Sequence, residues 1–332
     1  MTERRPPYSK RVSRPSGARD RGPLSVMLAL LVLVVVVFAV TLSLALAAGG
    51  HPVKRLAQAP IRHSHVPRPR IYRAGSEPLP PPPHPRLASR ETFCPILMFH
   101  YIRINPVPSD ILGLHLSVTP AEFNAEMRFL RNNNYQAVTI SQLADHIRYG
   151  TALPAKCVAL TFDDGYEDQY TAALPTLLRY GLRGTFFIVS GFANQPRYMT
   201  WKQIRTADQD GMEIGVHTIH HLDLTTLTPW QDWQEIHHSK IVIEQHVGHP
   251  VYSFAYPSGR YNQLVLNDVG KSGYLAAVST DPGTLHSQRS LNYLFRVRIL
   301  NSDTPQTMDW YLNTRFGNPF GPAPQLVSPT GG

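Results

Sequence analysis

The sequence predicts an α/β domain built as a parallel barrel, and three observations carry that prediction. Seven short apolar runs, near residues 96–100, 158–162, 185–189, 212–216, 251–255, 274–278 and 295–299, have strand length and alternate with segments of helical pattern. Helix signals punctuate the intervals. Thr119-Pro120-Ala121-Glu122 is a capping box with proline at the first helical position, residues 200–203 and 228–231 repeat the box, and Gly150, Gly181, Gly211 and Gly248 stand where helices should stop. Finally, carboxylates and histidines gather just past the ends of the apolar runs, where parallel barrels keep their chemistry. No internal repeat is visible.

Before the domain lie segments of different physics. Residues 1–23 are rich in Arg and Pro with little to bury, which predicts a disordered basic tail. Residues 24–48 run without a charge for about 25 residues, roughly 37 Å as a helix, enough to span a bilayer. A cleaved signal peptide competes with this reading, and Ala45-Leu46-Ala47 has the look of a cleavage site, but a signal's apolar core runs to only about 7–15 residues. The longer run favours an uncleaved transmembrane anchor. Seven Lys/Arg precede it, while Lys54, Arg55, Arg62 and Arg68 follow. This modest bias predicts the N-terminus in the cytoplasm and the folded domain outside the cell, at the membrane. Residues 49–92 turn to Pro, Arg and His, with PLPPPPHP at 78–85, the composition of a semi-rigid stalk rising about 3.1 Å per residue. The folded domain is expected over residues 93–317, followed by a flexible tail over 318–332.

The net charge of +9 does not describe the domain. Residues 1–92 hold 15 Lys/Arg against 4 Asp/Glu, and the remainder holds 17 against 19. A nucleic-acid-binding fold carries a basic face of its own, so that class is discounted. The excess belongs to tail and stalk, by default a solvated linker that could also meet anionic lipid or wall polymer.

Taken in order, the strand ends carry the following chemistry. Residues 95–102 read PILMFHYI and end an apolar strand on His100. Residues 158–166 read VALTFDDGY, delivering Asp163 and Asp164 together to the end of a buried strand. Alone, Asp-Asp-Gly reads equally as a turn. Both carboxylates ionised in a half-buried cleft would repel, so a cation is the natural third party, holding one as a ligand and leaving the other free as a base. Residues 212–221 read MEIGVHTIHH: His217 and His221 leave a strand end four residues apart and can converge on one ion. With a carboxylate from a neighbouring strand they make a site of two histidines and one carboxylate, which for zinc leaves a fourth position open. His220 lies between them without a ligand role, and His237, His238, His246 and His249 are expected to be solvated.

These residues resemble a known family. TFDDG at 161–165, HTIHH at 217–221 and FAYPSGRYN at 254–262 are similar, in order, to the motifs of the NodB-homology polysaccharide deacetylases, carbohydrate esterase family 4. The resemblance implies a distorted, incomplete (β/α) barrel and hydrolysis of N-acetyl groups from an N-acetylglucosamine-containing polysaccharide. It implies Asp163 as general base, with Asp164, His217 and His221 holding a divalent metal, usually zinc. The strand ending on His100 resembles the branch that includes the poly-N-acetylglucosamine deacetylases, where such a histidine is the catalytic acid; the alternative acid, His286, lies in a turn-rich stretch without a strand to aim it.

One departure stands out. The third family motif often carries an arginine that braces the base, and aligning FAYPSG on its proline and glycine puts Ala255 at that position. Residues 294–299, LFRVRI, resemble the late strand of the same branch, so Arg296 is expected to supply the guanidinium, with Arg298 one alternation further along. In the implied mechanism, activated water gives a proton to Asp163, the oxyanion is held in part by backbone N–H in a pocket formed by Tyr256, Pro257 and Ser258, with Ser258 the donor, and His100 protonates the leaving nitrogen. Tyr166, Trp201 and Tyr256 could stack on sugar rings or belong to the core.

Cys94 and Cys157 each precede a proposed catalytic residue, His100 or Asp163, by six positions. On neighbouring parallel strands they would lie at one height, as a disulfide or as two buried thiols. Two further function classes remain: a non-catalytic sugar-binding relative, against which the intact motif residues argue, and a hydrolase of O-acetyl esters, peptidoglycan or chitin on the same scaffold, its specificity set by residues 103–118 and 190–200.

Overall fold

The computed structural model describes residues 90–319. The expectations for the basic tail, the apolar run, all but the end of the stalk and the C-terminal tail beyond residue 319 lie outside the described residues. Within them, no helix is long and apolar enough to cross a membrane.

In chain order the strands are β1 (Thr92–Phe93), β2 (Ile96–Phe99), β3 (Tyr101–Ile102), β4 (Ser117–Val118), β5 (Gln136–Val138), β6 (Cys157–Phe162), β7 (Thr185–Ile188), β8 (Glu213–Val216), β9 (Ser253–Ala255), β10 (Ala276–Pro282), β11 (Leu285–His286) and β12 (Leu294–Arg298). The seven apolar runs of the sequence are β2, β6, β7, β8, β9, β10 and β12. The main sheet runs β2-β12-β10-β9-β8-β7-β6-β5, and a further β2–β6 pairing closes seven strands into a parallel barrel. Register explains the eighth strand: β6 pairs with β2 along one edge from Ala159 to Phe162, while the opposite edge is shared by β5 up to Ala159 and β7 from Thr161. β5 was not foreseen, since three residues carry too little period to read. The ring is distorted where the register between β10 and β12 slips after Val278.

The helices that cover the strands begin where the capping boxes stand. α1 (Ile111–His115) lies in the segment after β3. α2 (Pro120–Asn132), α3 (Ile140–Tyr149), α4 (Leu174–Tyr180), α5 (Trp201–Gln209), α6 (Pro229–Trp233), α7 (Ser239–Val247), α8 (Gln263–Lys271) and α9 (Pro305–Asn313) follow. Thr119, Thr200 and Thr228 cap α2, α5 and α6 reciprocally with the residue three positions on; Thr139 does the same for α3 with Gln142, a box the sequence reading missed. Gly150, Gly181 and Gly248 end helices in the left-handed region.

Alternation sorts the barrel side chains. Leu97, Phe99, Leu160, Phe162, Phe186 and Phe254 face out and pack under the helices. There Phe162 stacks between Phe99 and Phe186 at 5.4 and 4.7 Å, with Phe123 of α2 edge-on to Phe99 at 5.3 Å. Ile96, Ala159, Phe187, Ala255, Ala276, Val278 and Leu294 form the inner cluster with Cys94 and Cys157. Gly215 belongs to that inner face, since a Cβ there would meet the Phe187 ring at 2.5 Å.

The β2–β6 register offset, Ile96 beside Ala159, extends downward to bring Cys94 beside Cys157. The two are joined by a disulfide with Cα atoms 5.1 Å apart. Beside it, β1 pairs antiparallel with β11. This corrects the reading of His286 as lacking a strand: it ends β11, is fully buried, and its Nε2 meets the Cys94 carbonyl at 3.1 Å. Burial pushes His286 down to about 4. It is a structural histidine of the barrel floor.

Candidate active site

The same offset extended upward brings His100, just past β2, level with Asp163, just past β6. The Asp163 N–H donates to the Phe99 carbonyl at 3.0 Å, locking the two strand ends. Gln169, in a π-helical turn (Gln169–Ala173), tightens this further: its buried amide donates to the backbone carbonyls of both His100, at 2.9 Å, and Asp163. Sequence reasoning missed Gln169, whose only signal is a polar residue on an otherwise apolar helical face.

Asp163 is 2% exposed and Arg296 1%. The guanidinium grips the carboxylate in two parallel bonds of 2.8 and 2.7 Å, and it also donates to Thr161 Oγ1 at 3.2 Å and to the Ser279 carbonyl at 2.7 Å. Burial alone would push the Asp163 carboxyl up. The charge and paired bonds of Arg296 more than reverse that and hold it well below the usual carboxylate range. His100 Nε2 lies 3.9 Å from Asp163 Oδ2, and burial pushes His100 down, only partly offset by Asp163 and Asp164.

Asp164 points the other way because its backbone is left-handed, φ 75°. Its Oδ1 lies 3.4 Å from His217 Nε2 and 3.3 Å from His221 Nε2, and the three ligating atoms lie within 4.8 Å of one another. His217 Nδ1 meets the Ala255 carbonyl at 2.8 Å, which takes its N–H and leaves Nε2 as the atom that faces Asp164. Thr218, His221 and Ser258 also have positive φ, so backbone strain collects at the motif turns. On the turn that joins His217 to His221, Glu235 accepts from the N–H groups of Ile219 and His220, both at 2.9 Å, and holds His220 Nδ1 at 2.6 Å. Glu235 went unrecognised in the sequence because it sits in an ordinary helical pattern.

These donors fit a metal ion. A carboxylate oxygen and two imidazole nitrogens converging this closely must share a proton or a cation, and a divalent ion can bind all three at once. Ligands about 2.1 Å from a tetrahedral centre stand about 3.4 Å apart, the spacing Asp164 keeps to each histidine.

Other expected residues fall elsewhere. Tyr256, expected at the oxyanion pocket or on a sugar ring, is fully buried, packs on Phe254 and Tyr261, and donates its hydroxyl to the Asn292 carbonyl at 2.6 Å. The outward turn of the chain at the end of β9 makes it a core residue, which corrects that expectation. Pro257 is buried beside it, while Ser258 is exposed at φ 54°. Trp201 packs against the core and stacks on His246 at 3.8 Å. Of the four histidines expected to be solvated only His238 is exposed, for His237 stacks on Trp233 and His249 pairs with Asp208 at 2.9 Å. Tyr166 joins a wall of rings, 4.2 Å from Tyr101 and 5.1 Å from Tyr198.

A family model for polysaccharide deacetylases matches residues 150–277, which contain Asp163, Asp164, His217 and His221. The chain is 35% identical over 205 residues to YxkH of Bacillus subtilis (strain 168), a protein designated a polysaccharide deacetylase, covering 62% of this chain and 71% of that one. The chain belongs to the polysaccharide deacetylase family. That membership makes it a hydrolase. Poly-beta-1,6-N-acetyl-D-glucosamine N-deacetylase of Escherichia coli (strain K12) is 23% identical over 236 residues, 56% of this chain but only 34% of that protein's length. The solved structure of the Streptococcus pyogenes deacetylase PplD in complex with acetate superposes with a TM-score of 0.64 at 28% identity, covering 68% of this chain and 100% of that one. His100 and Arg296 lie outside the segment matched by the family model, so their place in the deacetylase site rests on geometry.

Proposed function

We propose that this domain removes N-acetyl groups from an N-acetylglucosamine-containing polysaccharide in a metal-dependent hydrolysis. The observation that carries the reading is the division of labour between adjacent carboxylates: Asp163 is gripped through both oxygens by Arg296, while Asp164 converges with His217 and His221.

Asp164, His217 and His221 would hold the ion, for which we favour zinc; when bound it supplies Lewis acidity to the acetamide carbonyl and lowers the pKa of water. Asp163 stays ionised because Arg296 keeps it so, and it accepts the proton of the attacking water. His100, beside Asp163, donates to the nitrogen as it leaves, and its burial-lowered pKa makes the imidazolium a readier donor. The Ser258 N–H, at the exposed left-handed turn, is the donor assigned to the oxyanion. Acetate and a free amino sugar result.

The domain is read as working outside the cell, tethered by residues 24–48. A disulfide supports that compartment, since such bonds persist in oxidising surroundings.

Acetate release from β-1,6-linked and β-1,4-linked N-acetylglucosamine oligomers and from peptidoglycan, with and without a chelator, tests the reading. Release from at least one polymer, abolished by chelation and restored by a divalent ion, is expected. Release indifferent to the chelator, or release only from O-acetyl esters, overturns it.

A further inference from the structure

Resting on the deacetylase reading of the site, one residue bears on what the substrate carries besides its acetamide. On β12 the inner face is occupied by Leu294 and then Arg296. Arg298 is the next position on that face, about 6.6 Å further toward the mouth of the barrel at strand rise. The two arginines differ in one respect. Arg296 makes four hydrogen bonds and is fully committed to Asp163, Thr161 and the Ser279 carbonyl. Arg298 is half-buried, and among the described residues its guanidinium has neither a hydrogen bond nor an ion pair, although it is close enough to Asp163, Asp164, His100 and Arg296 to feel their charges.

A half-buried guanidinium without a partner has lost hydration that nothing in the protein returns. It is also not part of a generally basic surface, because the chain after residue 92 holds 17 Lys/Arg against 19 Asp/Glu. Arg103 is placed differently: its guanidinium lies flat over the Tyr101 ring at 3.6 Å and 3.6 Å from the Asp168 carboxylate. Asp163 needs no second arginine, since both its oxygens are taken by Arg296. The group that matches a free planar fork of N–H donors is a carboxylate.

We propose that Arg298 is a specificity-determining residue that binds a carboxylate borne by the sugar being deacetylated or by its neighbour, so that the cleft prefers acidic N-acetylated polymers to neutral ones. Two sugar chemistries supply such a group, a lactyl ether, as in muramic acid, and a uronic acid.

The test uses the full chain with four soluble probes: a neutral N-acetylglucosamine oligomer, a glucosaminyl-muramyl oligomer with free lactyl carboxylates, the same oligomer with those carboxylates converted to methylamides, and an oligomer alternating N-acetylglucosamine with glucuronic acid. The wild type should favour the lactyl or the uronic oligomer over its neutral counterpart by about ten-fold or more in kcat/KM, the scale of one charge-assisted pair. Whichever acid is favoured names the source. Arg298→Gln should bring that ratio toward one, and Arg298→Lys should restore part of it. Binding of the same probes to the Asp163→Asn protein, which should not turn over, gives a second readout. If no probe releases acetate but acid probes still bind more tightly through Arg298, the deacetylase reading fails and this assignment stands. A wild type that does not separate acid from neutral probes in either readout overturns it, as does an Arg298→Gln protein that loses acid and methylamide probes equally.

Discussion

Replacing Arg296 by Gln removes a buried charge and leaves its partner, Asp163, uncompensated in the same place. Both side chains are almost completely buried, and the guanidinium makes two bonds to the carboxylate besides those to Thr161 and Ser279. Removing one partner of such a pair costs about 3–5 kcal/mol. The loss should depend on pH with a definite sign. In the wild type the Asp163 pKa is depressed, so its contribution to stability is complete above the unfolded value of about 3.9 and fades as pH falls toward the folded one. Without Arg296, burial is the largest remaining influence and raises the folded pKa; stability is then present at low pH and lost as pH rises through that raised value. The two proteins should therefore differ least near pH 3 and most near pH 7. Urea unfolding of chelator-treated protein across this range measures the gap without a bound ion. A gap below about 1 kcal/mol at pH 7, or one that does not change with pH, refutes the electrostatic account.

Three further outcomes follow from other parts of the fold. The Cys94–Cys157 bond closes a loop of 63 residues, so the Cys94→Ala/Cys157→Ala protein should lose about 4 kcal/mol by loop entropy, read as a lower urea midpoint, and a reductant should then no longer shift that midpoint. Gln169→Leu removes the amide joining the His100 and Asp163 carbonyls and should lower kcat on N-acetylglucosamine oligomers far more than it raises KM, by about ten-fold or more, while Asp164, His217 and His221 still bind zinc in calorimetry. His286, pushed down to about 4, stays neutral when folded but charges near 6.5 when unfolded, so it takes away stability as pH falls from about 6.5 to 4, by about 3 kcal/mol in all; His286→Gln should flatten that part of the stability profile.

The chemistry of the site was legible wherever it depends on residue type and order. Asp163, Asp164, His217, His221 and His100 end strands that their own apolar runs announce, and those runs became the barrel. Arg296 was reachable only through resemblance, since it stands 133 residues from the carboxylate it binds. Tyr256 was misread because it shares a motif with Ser258, two residues away, and nothing local tells which of the two turns into the core. Gln169 and Glu235 act through buried hydrogen bonds to backbone, and a single Gln or Glu on a helix carries no mark of that.

What the sequence by itself determined is therefore the seven strands of the closed ring, three of the helix starts at threonine caps, and the identity of the groups at the strand ends, because these follow from periodicity and side-chain chemistry over a few residues. What only the tertiary structure decided is which of them meet. One register between β2 and β6 sets Cys94 beside Cys157 at the floor and His100 beside Asp163 at the top, and left-handed turns at Asp164 and His221 swing those side chains toward each other. Register and such turns are chosen by barrel closure and packing, which are properties of the whole chain and leave no trace in any short segment of it.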